Sequence, residues 1–82
     1  MNTVKEKIDR LKNKSHTDTV DGLQQLFIDT LKNKGNDTAD VAIHRVLRIC
    51  SIYHIALELN LLQSTVSNCI KYARRMTNNN ND

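Results

Sequence analysis

The chain has no proline and only two glycines, Gly22 and Gly35. Sandwiches and barrels need many tight turns, which are rich in those residues, so their scarcity points to helices. Aromatic side chains are also scarce: Phe27, Tyr53 and Tyr72 are the whole set, within a chain that is 39% hydrophobic. A thin aliphatic core in one small domain follows, and such a core gains from association with a second copy. There are two cysteines, Cys50 and Cys69, each among apolar neighbours. They read as reduced thiols of a cytoplasmic protein rather than a disulfide framework. No apolar run approaches the roughly 20 residues of a membrane span, so no membrane partner is expected.

Chemistry-bearing patterns are equally sparse. No glycine loop could cradle phosphate, and no carboxylate pair lies in an apolar setting. Ser, His and Asp residues occur, but nothing groups them, and the chain is short for an enclosed active site. An enzyme is therefore not expected, and no cofactor is implied. Cys50 and His54 stand four apart, yet a metal site needs more ligands, and His16, His44 and Cys69 have no metal-binding spacing. His54 reads as a polar helix residue.

What is present is helical periodicity. Residues 2–14 place Val4, Ile8 and Leu11 on one face, with charge elsewhere. "SHTDT" breaks that pattern, and Asp18 or Thr19 is the expected cap of the next helix. Residues 20–33 carry a stripe of Val20, Leu23, Phe27 and Leu31, widened by Leu26 and Ile28. Gly22 inside this helix costs up to about 1 kcal/mol relative to alanine. "NKGND" ends it, with Gly35 suited to a left-handed position. Asn36 or Asp37 is expected to cap residues 38–50, where Val41, Ile43, Val46, Leu47, Ile49 and Cys50 are apolar on more than one side and predict a central helix. Arg45 and Arg48 share a side and read as solvent-facing or salt-bridged. Ser51 can cap a helix over 52–59, and a last helix runs from about Gln63 to Met76. The organisation expected is one helical domain over 1–76, with 1–50 as support and 51–76 as a separate motif, and a disordered polar tail over 77–82.

The formal charge is +3, a mild excess compatible with a nucleic-acid partner. Its distribution says more. Residues 1–37 hold seven Lys/Arg against six Asp/Glu, and residues 38–76 hold five against two. The excess therefore lies in the second half, beside "LNLLQSTVSNCI", where Ser64, Thr65 and Ser67 surround Val66.

From Ser51 onward the pattern is specific. A capping Ser opens the first helix, Ile55 and Leu59 face inward, and small Ala56 lets two helices cross closely. Asn60 takes the tight-turn position that favours a left-handed backbone. Leu61 plugs the turn, and Val66 and Ile70 bury the inner face of the second helix. "SIYHIALELNLLQSTVSNCI", residues 51–70, resembles the helix-turn-helix DNA-binding motif of lac-repressor-type bacterial regulators. It is also similar to other bacterial repressors with a "QSTVS" string in the second helix. The chain departs from the motif at Leu62, where a capping Ser or Thr is usual. Either Ser64 caps a helix that starts later, or Leu62 serves packing and the cap is lost.

The periodicity gives an all-α bundle of about five helices, and the resemblance makes the last two a C-terminal helix-turn-helix. The resemblance implies sequence-specific binding of double-stranded DNA by a small bacterial, plasmid or phage transcriptional regulator, most simply a repressor. Gln63, Ser64 and Asn68 take the base-reading positions, and Thr65, Ser67 and Tyr53 contact phosphates. Lys71, Arg74 and Arg75 extend a basic strip toward the backbone. A homodimer is expected on symmetry grounds, through the stripes Val4/Ile8/Leu11 and Val20/Leu23/Phe27/Leu31. Two alternatives stay open: a protein-interaction adaptor acting on transcription or replication machinery, and a nucleoid or partition component that binds without regard to sequence.

Overall fold

The computed structural model describes residues 3–78, which form five helices. These are α1 (Thr3–Arg10), α2 (His16–Lys32), α3 (Ala39–Ile49), α4 (Ile52–Leu59) and α5 (Gln63–Asn78). The chain is thus a small all-α bundle, with no strand among the described residues.

Each boundary has a local cause. α1 stops at Arg10, and Leu11–Asn13 close a turn through Leu11 N–H to the Ile8 carbonyl at 3.0 Å. Asn13 takes a left-handed conformation, φ 67°. Ser15, not Asp18 or Thr19, caps α2: its hydroxyl accepts from the Asp18 N–H at 3.1 Å. Thr19 is buried instead, and its hydroxyl donates to the Leu11 carbonyl at 3.1 Å. Thr38, not Asn36 or Asp37, caps α3 by accepting from the Val41 N–H. Asp37 is engaged in an ion pair with Arg45, and Gly35 turns the chain before it with φ 64°. Ser51 caps α4 as expected, accepting from the His54 N–H at 3.2 Å.

The core is one cluster to which all five helices contribute. α2 is the central helix and makes its largest interface with α5. Leu23 and Phe27 of α2 are fully buried, as are Ile55 of α4 and Val66 of α5. Burial of a side chain of this size stabilises the fold by about 1.5–3 kcal/mol. α3, expected at the centre, lies at the side: Ala42, Ile43 and Val46 face in, while Val41 and Ile49 are 42% and 50% exposed. α1 packs on α3 and α4. The stripes proposed as a dimer surface are mostly inside the monomer. Ile8, Leu23, Phe27 and Leu31 are buried, and Val4, Leu11 and Val20 are half-buried against the same core.

Gly22 has a structural reason. A Cβ there would collide with the Leu11 Cδ2 methyl, so the missing side chain lets the end of α1 and its turn close onto α2. The far end of the chain also differs from expectation. α5 continues through Thr77 and Asn78, and the Thr77 hydroxyl donates back to the Ala73 carbonyl at 2.9 Å. Residues 79–82, the rest of the expected tail, lie outside the described residues.

Candidate nucleic-acid interface

The turn between α4 and α5 is built by backbone chemistry. Asn60 adopts φ 57°, ψ 47°, the left-handed conformation that asparagine tolerates better than most residues. Its N–H donates to the Leu57 carbonyl, and the Leu61 N–H reaches the Ala56 carbonyl at 2.9 Å. This pair of bonds satisfies the last carbonyls of α4 in a Schellman arrangement. Leu61 packs against the core. Ala56 is buried.

α5 then begins at Gln63, so Ser64 is not its cap. Leu62 occupies the cap position with its backbone alone: its carbonyl accepts from the Thr65 and Val66 N–H groups at 3.0 and 3.2 Å. Its side chain is not used for packing either, since it is 72% exposed.

Successive residues of a helix advance by about 100°, which sorts α5 into faces. Val66, Cys69, Ile70 and Ala73 form the buried side. Directly opposite, in one line at i, i+4, i+7 and i+11, stand Ser64, Asn68, Lys71 and Arg75, all exposed. Gln63, Ser67 and Arg74 share one flank of this line, and Thr65 lies on the other with Tyr72 and Met76. Thr65, Ser67 and Arg74 are half-buried. Of the expected base-reading residues, Ser64 and Asn68 fall on the outward line, and Gln63 lies on its flank at the N-terminal end of α5. The two hydroxyls expected to hold phosphates bracket it on either side. Tyr53, on α4, is exposed. Of the expected motif core, Ile55, Ala56, Leu59, Val66 and Ile70 are buried and Leu61 is half-buried.

Charge is sorted too. α5 contains no acidic residue, and Lys71 and Arg75 have no ion-pair partner among the described residues. Arg74 differs from them: its Nη2 lies 2.7 Å from Asp40 Oδ1 at the start of α3. The basic strip of three therefore divides into two outward cations and one tied to a neighbouring helix. Glu58, the one acid of α4, is paired with Lys12. That hydrogen bond holds the Glu58 carboxyl below its ordinary range and raises Lys12 above its own.

Sequence reasoning did not anticipate a shallow apolar groove beside the N-terminus of α5. It has a volume of about 310 Å³ and is lined by Tyr53, Ala56, Leu57, Leu62 and Gln63, among others. Leu57 and Leu62 are the most exposed large apolar side chains among the described residues, at 64% and 72%. The only sequence signal was the unusual leucine at the cap.

Cys50 and Cys69 are free, buried thiols, and burial pushes both upward in pKa. Cys69 points its thiol at the Val20 carbonyl, 3.9 Å away. No group of three or more His, Cys, Asp or Glu among the described residues could hold a metal ion, and no helix of the described residues is long and apolar enough to cross a membrane. No family model matches the chain, and neither a curated protein nor a solved structure matches it.

Proposed function

We propose that the chain binds double-stranded DNA in a sequence-dependent way and acts as a small transcriptional regulator, most simply a repressor that occludes a promoter. The observation that carries this is the outward line of α5. Small polar Ser64 and Asn68 come first, cationic Lys71 and Arg75 follow, and no acid interrupts them. A helix entering the major groove by its N-terminal end needs short or hydrogen-bonding side chains there and positive charge where it passes the backbone. Gln63 and Asn68 each have the donor–acceptor pair that matches adenine. Thr65 and Ser67, one on each flank, suit the phosphates of the two strands. The resemblance of residues 51–70 to the lac-repressor-type motif supports the same assignment, as does the left-handed Asn60 turn.

One such helix covers one half-site, so two copies on an inverted repeat are proposed, with half-sites about one helical turn apart. Most of the apolar side chains of the α1 and α2 stripes are covered within the monomer, so they offer little surface to such an interface.

Selection from a random duplex pool at near-physiological salt tests the proposal. Enrichment of an inverted repeat supports it, and retention without enrichment favours a component indifferent to sequence. Failure to retain any DNA removes it. A second reading, docking of a protein partner, is favoured by exposed Tyr53 and Leu57, which present apolar surface at the groove. Binding to a protein that survives loss of Gln63 and Asn68 would mark that case.

A further inference from the structure

Leu62 is the most exposed large apolar side chain among the described residues, and it occupies the backbone cap position of α5. Serine, threonine, aspartate and asparagine are strongly preferred there, because their side-chain oxygen accepts from a first-turn N–H. Leucine forgoes that bond. It also gains nothing from the core, being 72% exposed. A side chain that serves neither the helix nor the core is available to a ligand.

Leu62 precedes Gln63, and the two line one groove together with Leu57. The major groove offers a single apolar group, the C5 methyl of thymine, and every adenine that a glutamine could read is paired with a thymine. We infer that Leu62 reads a thymine methyl at the edge of the half-site, beside the base read by Gln63. This rests on the DNA-binding proposal and sharpens it. The end of α5 reads an A·T-containing step with one polar and one apolar side chain, and the groove between Leu57 and Leu62 receives the methyl. The same position would reject cytosine, which has no methyl there and offers a donor that leucine cannot pair.

The test uses the duplex recovered by selection, with each thymine replaced in turn by deoxyuridine, which removes only the methyl. For the wild-type protein one thymine per half-site should be sensitive, with binding about fourfold weaker, the scale of one buried methyl group. Leu62→Ser should abolish that sensitivity. Its fold is not in question, because Leu62 is exposed and serine restores a capping oxygen. Tolerance of deoxyuridine at every position, or an equal penalty in both proteins, overturns the assignment of Leu62 while leaving the DNA-binding proposal intact. A pool with no enriched sequence overturns both. Retained affinity for a protein partner that Leu62→Ser destroys would give the groove to that partner instead.

Discussion

Arg74 Nη2 sits 2.7 Å from Asp40 Oδ1, joining the last helix to the first turn of α3. Both side chains are well exposed, at 42% and 82%, so the pair stabilises the fold by no more than about 1 kcal/mol. Its larger effect is on which cations are free. Asp40→Asn should release Arg74 and remove a negative charge near the basic strip. DNA binding should strengthen, and the slope of log affinity against log salt should steepen by up to about 0.9, the amount per added phosphate contact. Arg75→Ala should weaken all duplexes alike, and more than Arg74→Ala does. Asn68→Ala should instead relax preference at one base position. Salt titrations on the selected duplex and a scrambled one separate these outcomes.

The Asn60 turn makes a second prediction, independent of any ligand. A residue at φ 57°, ψ 47° costs about 1–2 kcal/mol when it has an ordinary Cβ and no compensating polar group. Asn60→Ala should therefore lower unfolding free energy by about 1 kcal/mol. Asn60→Gly should match or slightly exceed the wild type, as read from urea denaturation.

Gly22 and Leu11 form a coupled pair. Alanine in a helix interior is favoured over glycine by about 1 kcal/mol, but a Cβ at position 22 meets the Leu11 Cδ2 methyl. Gly22→Ala should show the full gain in a Leu11→Ala background and fall short of it in the wild-type background. The double-mutant cycle measures that difference as the cost of moving Leu11.

The Lys12–Glu58 pair, which ties the α1–α2 turn to α4, sets a dependence on pH. The Glu58 carboxyl titrates below its ordinary 4.5 because of the hydrogen bond from Lys12. A depressed carboxyl contributes stability above its unfolded pKa and loses it as pH falls through the folded value. Lys12, raised above 10.5, contributes below that value and loses its share as pH rises through the folded one. Glu58→Gln should lower the urea midpoint slightly at neutral pH, and the difference from wild type should narrow steadily below pH 4.5.

Periodicity revealed the number and order of the helices, and it picked out most of the side chains that the core buries. It could not say what buries them. The stripe Leu23/Phe27/Leu31 has the same pattern whether it faces a second copy or the remainder of its own chain, and the monomer provides the cover through α5. Caps were harder. "SHTDT" offers five polar residues, and Ser15 is chosen because Thr19 is drawn inward by the Leu11 carbonyl, a contact made only once α1 folds back. α3 looked central because apolar residues surround it, yet Val41 and Ile49 remain exposed. Residues 51–70 were more legible, since Ser51, Asn60 and the buried positions depend on local backbone geometry. The tether on Arg74 and the groove at Leu62 come from tertiary packing and leave no trace in spacing.

α5 keeps its buried side chains and its outward line on opposite sides of one cylinder. Ser64, Asn68, Lys71 and Arg75 can all be exchanged without disturbing Val66, Cys69, Ile70 or Ala73. On the DNA-binding proposal, recognition and folding would be written in separate letters on the same helix. A new target could then be acquired by rewriting the outer set alone, with the architecture left unchanged.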